Sequence, residues 1–143
     1  MSFPSAHLLR SGLSMIGIDA LVVDGAGSDS ALDFHNCDAR DVVVSVALRR
    51  YNAATVRAVE LAAAVGMKCI AITDDTLSPT ATRSEIALVA ATTRTEFFQS
   101  TTSVTALVSA LVTACSVARP ERSKTKLAAL ESHWTQAQTF FQD

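Results

Sequence analysis

Apolar residues in this chain form short continuous runs and longer helical patterns, which alternate over the first 90 residues. The short runs predict strands at residues 41–46 (DVVVSV), 68–73 (KCIAIT) and 85–90 (EIALVA). Continuous β-branched runs of this length are typical of strands that are buried on both faces. Another strand is predicted at residues 19–25 (DALVVDG), which end in the turn dipeptide Asp24-Gly25.

The longer patterns repeat about every 3.6 residues and predict helices at residues 4–17, 53–66, 100–118 and 123–140. Gly66 is predicted to end the second of these helices. Short helical segments are predicted after Gly27 and at Ser78-Pro79, with serine as N-cap and proline at the first helical position. The predicted apolar faces are Leu8, Leu9, Leu13 and Ile16 in the first helix, and Val104, Leu107, Val108, Leu111, Val112 and Cys115 in the third.

Strands that alternate with helices of this length predict an α/β fold, in which right-handed crossovers join the strands of a parallel sheet. The length of 143 residues fits one domain, residues 1–143. Ligands of such sheets bind beyond the carboxyl ends of the strands. The loops at residues 25–30, 47–55 and 73–79 are therefore the candidate binding loops.

Composition narrows the function classes. The chain is 49% apolar with a net charge of −2 and no basic tract, so we expect no direct nucleic-acid binding. Three widely spaced cysteines predict reduced thiols in the cytoplasm rather than a disulfide framework or a zinc site. The N-terminus lacks the pattern of a signal peptide.

Residues 97–118 are uncharged, which raises the question of a membrane span. Their apolar positions are periodic and nine of them are Gln, Ser or Thr, so we interpret the segment as a soluble helix and expect no membrane contact. Its uncharged outer face suggests that this face is covered as well, for example by a second subunit.

The loop at residues 47–55 (ALRRYNAAT) places two arginines between a strand and a helix. Asn52 is suited to cap the helix, and Thr55 falls in its first turn. Free N–H groups and the helix dipole favour an anion there, and Arg49 or Arg50 would add a cation. The alternative is plain helix capping, with both arginines in solvent.

The loop at residues 73–79 begins with Thr73, Asp74 and Asp75. The two carboxylates are candidates for binding sugar hydroxyls, for a divalent metal, or for pairing with the arginines. Without a third acidic ligand nearby, the sequence favours pairing or solvation over metal. The histidines are dispersed, and we expect no catalytic residue, metal or cofactor.

Residues 41–90 resemble the SIS (sugar isomerase) domain in the form found in RpiR-type transcriptional regulators. The family pattern appears here as Arg50-Tyr51, then Thr55, then Ile70 to Asp74 (IAITD), then Ser78-Pro79. The similarity extends less sharply from about residue 8 to about residue 134. It implies a flavodoxin-like sheet between helices, a dimer, and a phosphorylated sugar as effector.

The resemblance assigns the phosphate end of the site to Arg49, Arg50, Asn52 and Thr55, and its far side to Thr73, Asp74 and Ser78. The family serine that closes the strand matches Ala47, and Ser45 is the nearest hydroxyl before it. The family also has an earlier strand, placed centrally between residues 19–25 and 41–46, and a helix-turn-helix domain. We expect the chain to be an N-terminally incomplete SIS domain, whose two flanking strands close up or whose gap a second subunit fills.

These observations give three function hypotheses. The first is a non-enzymatic, phosphosugar-sensing and dimerisation domain of a transcriptional regulator. The second is an aldose–ketose isomerase, for which Glu60, Glu85, Glu96 and the histidines are the candidate bases. The third is a degenerate SIS module that serves only dimerisation.

Overall fold

A computed structural model describes residues 2–23, 30–92, 94–95 and 98–140. Within these ranges the helices are α1 Phe3–Met15, α2 Ser30–Asp33, α3 Ala53–Ala64, α4 Thr102–Ala118 and α5 Pro120–Gln136. The strands are β1 Val42–Ala47, β2 Lys68–Thr73, β3 Ile86–Val89, β4 Arg94–Thr95 and β5 Phe98–Gln99, and a 3-10 turn spans Ala81–Arg83.

Strands β1, β2 and β3 form a parallel sheet in that order, as the alternation of strands and helices predicted. Ala47 of β1 is aligned with Thr73 of β2, and Thr73 is aligned with Val89 of β3. Since aligned residues of parallel strands point to the same face, this register fixes which side chains share a layer.

The sheet buries apolar side chains on both faces. Val46 and Ile72 pack on one face against Leu9 of α1 and against Val104 and Val108 of α4. The opposite face packs against α3 through a second cluster of buried residues: Phe34, Val59, Ala62, Met67 and Cys69. The predicted α/β fold, a flavodoxin-like parallel sheet sandwiched by helices, is confirmed.

The ends of α3 follow from its sequence. The Asn52 side chain accepts the Ala54 N–H at 2.8 Å, which is the predicted N-cap. At the other end Gly66 has φ +83°, and the N–H groups of Gly66 and Met67 bond back to Ala63 O and Ala62 O, both at 3.0 Å. This pair of hydrogen bonds is the Schellman motif, which requires a residue with left-handed backbone conformation, here Gly66.

The strand predicted at residues 19–25 is not formed over residues 18–23, and residues 24–29, which include the predicted turn and part of the loop at 25–30, lie outside the described ranges. No backbone hydrogen bond joins residues 18–23 to β1 among the described residues, so the expected closing of the two strands is not seen. Val23 instead packs against the α3-side cluster, where its β-branched side chain is partly buried without pairing.

Three further features differ from prediction. Helix α5 begins at Pro120 rather than at residue 123, because the fixed φ of proline suits the first helical position. The antiparallel pair β4–β5 precedes α4 in a stretch where no strand was predicted. Leu8 is 43% exposed, whereas Leu9 and Ile16 are buried as expected.

Among the described residues, no single helix is both long enough and apolar enough to cross a membrane. Helices α4 and α5 meet that length and composition only when taken together, and they are bent by 110° at their junction.

Replacing Gly66 by alanine should lower the free energy of unfolding by about 1–2 kcal/mol, because a Cβ is disfavoured in the left-handed region. The new Cβ would lie 3.6 Å from Ala39 Cβ, an ordinary contact, so the loss would come from the backbone conformation. Urea denaturation measures it. Gly66→Asn is the matched control and should lose less, since asparagine tolerates positive φ. Equal stability of the two variants would contradict the assignment.

Candidate functional site

The carboxyl ends of β1 and β2 carry most of the predicted site residues. Residues 48–52 lead from β1 into α3, so the first N–H groups of α3 lie beside this loop and lack partners within the helix. Thr55 is half-buried in the first turn. Arg50 is exposed and forms no ion pair with any described residue. This end of α3 therefore combines helix N–H groups, a hydroxyl and an available cation.

Thr73 contributes a second hydroxyl at the same end of the sheet. Its side chain is fully buried, and Oγ1 has no hydrogen-bond partner among the described residues. The register places Thr73 on the face of the sheet that α3 covers. Cys69 Sγ lies 3.8 Å from Val59 O, and Thr73 lies four residues further along β2, a rise of about 13 Å. The start of α3 lies about 10 Å beyond Val59, so both reach the same level.

Ser45 stands deeper in the sheet than the strand end. It is buried, and its Oγ donates to Ile70 O at 3.4 Å. Two residues separate it from Ala47, a distance of about 6–7 Å along the strand. Its hydroxyl thus lies well below the level that the family serine would occupy, and Ala47 brings no donor to that level.

The Asp74 carboxylate connects three separate segments of the chain. It accepts the Arg49 backbone N–H at 3.2 Å and the Tyr51 hydroxyl at 3.0 Å, both from the β1–α3 loop. It also accepts Gln99 Nε2 at 3.2 Å, and Thr92 Oγ1 lies 3.5 Å away. The carboxylate oxygens are therefore engaged by protein donors, which hold the loop between β1 and α3 against the end of β2.

The pKa of the Tyr51 phenol is raised in this arrangement. Burial raises the pKa of its phenol, and the hydrogen bond to the Asp74 carboxylate raises it further, while the guanidinium of Arg49 acts in the opposite direction. The phenol accordingly stays protonated and donates to Asp74 at neutral pH.

Asp75 forms an ion pair between the acidic and basic loops, which is one of the alternatives that the sequence left open. Its Oδ2 lies 2.8 Å from Arg49 Nη2, and its Oδ1 accepts the Leu77 N–H at 2.9 Å. Ser78 is buried, and its Oγ accepts the Ala81 N–H at 3.1 Å. Ser78 thus bonds the first residue of the 3-10 turn Ala81–Arg83, where a helical turn starting at Pro79 was predicted.

The structure brings Arg49, Asn52, Thr55, Thr73, Asp74 and Ser78 to one end of the sheet, with Arg50 on the same loop and Ser45 deeper. Sequence reasoning missed Gln99, which is buried and bonds both Asp74 and Thr92. No local signal marks Gln99, because its role arises only when β5 is folded back beside the end of β2.

Two candidate bases of the isomerase hypothesis, Glu60 and Glu85, are engaged away from the start of α3. Glu60 Oε1 accepts from Arg83 at 2.7 Å, and Glu85 Oε2 accepts the Cys69 N–H at 2.6 Å, at the amino end of β2. Glu96 lies outside the described residues. Within the described ranges, no three His, Cys, Asp or Glu side chains are grouped as a metal site requires.

Tyr51 is the one tyrosine of the chain, so ultraviolet absorbance of tyrosinate reports its ionisation alone. We expect the folded protein to titrate at higher pH than the denatured chain, whose tyrosine pKa is about 10. Because the folded pKa is raised, the stabilisation by the protonated phenol is fully present below about pH 10. It is lost as the pH rises from there through the folded-state pKa.

Asp74→Asn should lower the pKa of Tyr51 in the folded protein toward that of the denatured chain, since the substitution removes the carboxylate charge. Tyr51→Phe should remove this contribution to the alkaline loss of stability. A folded-state titration that coincides with the denatured one would contradict the Tyr51–Asp74 contact.

Comparison with known proteins identifies the fold and the family. The SIS domain family model matches residues 2–114. The sugar isomerase domain of an RpiR transcription factor from Sphaerobacter thermophilus is 31% identical, with a TM-score of 0.84, and the match covers 90% of this chain and 72% of that one. The Vibrio vulnificus NanR protein, solved in complex with ManNAc-6P, is 20% identical with a TM-score of 0.77. That match covers 95% of this chain and 52% of NanR. No curated protein matches the sequence. The chain belongs to the SIS domain family, in the form found in RpiR-type regulators.

Proposed function

We propose that the chain is a phosphosugar-sensing domain of an RpiR-type transcriptional regulator, and that the phosphate binds at the N-terminus of α3. The observation that carries this proposal is the Thr73 hydroxyl, which is fully buried without a partner among the described residues at the level where α3 begins. A buried hydroxyl without a partner loses roughly 1–3 kcal/mol, which a bound oxyanion would return.

The charges around that point support an anion as the ligand. The N-terminus of α3 favours negative charge through its free N–H groups and its dipole. Arg49 and Arg50 stand on the adjoining loop, and Thr55 adds a hydroxyl in the first helical turn. In the proposed site these side chains and Asn52 hold the phosphate, and Thr73 donates from the sheet.

The far side of the proposed site is built around groups that are already bonded within the protein. Asp74 holds the β1–α3 loop in place, and Ser78 caps the turn after β2. We propose that both shape the sugar end of the site, and that Ser45 supports the sheet beneath it.

A sensor is favoured over an isomerase by the positions of two of the candidate bases, Glu60 and Glu85. Aldose–ketose isomerisation needs a general base near the sugar carbons. Glu60 pairs with Arg83, and Glu85 bonds the amino end of β2, so neither lies by the start of α3. The relative solved with ManNAc-6P shares the fold, which supports phosphorylated sugars as the class to test.

Thermal unfolding should reveal the ligand. A phosphosugar present at 100 times its Kd adds about 2.7 kcal/mol to the free energy of unfolding. This corresponds to a rise in the midpoint of roughly 5–10 °C for a chain of this size. The panel should contain ManNAc-6P, other hexose 6-phosphates, the unphosphorylated sugars and inorganic phosphate. The absence of any shift with every phosphosugar would contradict the proposal.

Variants locate the binding. Arg50→Ala and Thr73→Val should each weaken phosphosugar binding on the order of tenfold to a hundredfold, because each removes a hydrogen bond to a charged group. Lys68→Ala is the matched control, since Lys68 is exposed at the amino end of β2, opposite the end that carries the proposed site. Equal weakening by Lys68→Ala would point to non-specific charge attraction.

A second role, homodimerisation, is favoured by the outer face of α4. Its 17 residues carry no charge, and its exposed side includes Ala106, Ala110, Thr113 and Val117, the last 72% exposed. An uncharged face of small residues allows two helices to approach closely without repulsion. We propose that this face pairs with a second copy, in a cytoplasmic protein whose three thiols stay free.

Ala110→Glu should convert the proposed dimer into a monomer in sedimentation velocity, since a two-fold axis would bring two carboxylates together. Ala63→Glu is the control, because Ala63 is exposed on α3 in the opposite layer. A wild-type chain that stays monomeric at all concentrations would rule out this role.

A further inference from the structure

The ion pair between Arg49 and Asp75 joins the two loops that flank the proposed phosphate site. Arg49 Nη2 lies 2.8 Å from Asp75 Oδ2, and the two side chains are 51% and 35% exposed. The pair connects the loop before α3 to the loop after β2. It is therefore placed so that an anion at the start of α3 would compete with Asp75 for the guanidinium.

The backbone on both sides of the pair is held by other bonds. The Arg49 N–H donates to Asp74, and Asp75 accepts the Leu77 N–H through Oδ1 and the Ser78 N–H through its backbone oxygen at 3.0 Å. The loops would thus keep their positions if the guanidinium changed partner. The exchange needs rotation of the Arg49 side chain, whose guanidinium also lies close to the Tyr51 hydroxyl.

The Arg49 guanidinium interacts more strongly with a phosphate dianion than with the Asp75 carboxylate. A half-exposed ion pair typically contributes about 0–1 kcal/mol, because water screens it and two side chains lose freedom. A phosphate dianion offers arginine a bidentate, charge-assisted contact that is stronger than a neutral hydrogen bond. A sugar carboxylate, with one negative charge, has no such advantage over Asp75.

We propose that Asp75 is a built-in competitor for Arg49, from which an incoming phosphate dianion takes over the guanidinium. This inference rests on the proposed function and adds to it a residue that sets the affinity of the phosphate site. In the ligand-free protein Asp75 holds the guanidinium, and an incoming phosphate takes it over while Asp75 keeps its bond to Leu77.

The test is a double-variant cycle read by calorimetric titration with ManNAc-6P and inorganic phosphate. Asp75→Asn removes the competing charge but keeps an oxygen for the Leu77 N–H, so binding should tighten by about two- to fivefold. Arg49→Gln should weaken binding about tenfold or more. In the Arg49→Gln background, Asp75→Asn should no longer tighten binding, because its effect acts through Arg49.

The outcomes separate this inference from the proposed function. Wild-type binding that Asp75→Asn leaves unchanged or weakens would overturn the exchange while the phosphosugar site stands. Tightening of equal size with and without Arg49 would overturn it too, since that pattern means simple repulsion between Asp75 and the ligand. If neither the wild type nor Asp75→Asn binds either probe, both the exchange and the proposed function fail. Unfolding curves for each variant control for loss of fold.

Discussion

The position of the loop between β1 and α3 depends on one carboxylate, that of Asp74. It stands directly after β2 and accepts hydrogen bonds from Arg49 N–H, Tyr51 and Gln99. These donors come from two distant parts of the chain, so the carboxylate fixes the β1–α3 loop and the segment before α4 against the same strand end. A carboxylate that accepts several bonds is well stabilised when part-buried, and removing it would leave several donors unsatisfied together. The start of α3, where the phosphate is proposed to bind, is placed by this arrangement.

The two faces of the sheet differ in side-chain size at this end. The α1–α4 face carries Val46 and Ile72 at the strand ends, which fill the core. The α3 face carries Ala47, Ala71 and Thr73 at the corresponding positions, all buried. The side chains beside the first turn of α3 are thus small, whereas the larger Val59 and Cys69 fill the layer further down.

The sequence predicts the sheet well and the loops only in part. The runs that became β1, β2 and β3 are continuously apolar, so burial on both faces identified them, and Asn52 and Gly66 marked the ends of α3. The run at residues 19–25 had the same character, but a strand also needs a paired neighbour, which a single run does not reveal. Side-chain contacts between segments that are distant in the sequence were the least predictable feature. The pairing of Arg49 with Asp75 was one of several alternatives, and Gln99 carried no local sign of its role.

Ala47 offers no hydroxyl at the end of β1, but the strand register places the hydroxyl of Thr73 beside it. The family serine at this point would bring a hydroxyl to the strand end, and alanine does not. Thr73 is aligned with Ala47 on the neighbouring strand and points to the same face, about 4.8 Å away. Its hydroxyl has no partner among the described residues, whereas that of Ser45 donates to Ile70 O at a deeper level. Thr73 is itself part of the family pattern, so in the proposed site the sheet supplies one hydroxyl, that of Thr73, at the level where Ala47 supplies none. Because a phosphate has three free oxygens, a donor on the neighbouring strand stays within reach of the anion.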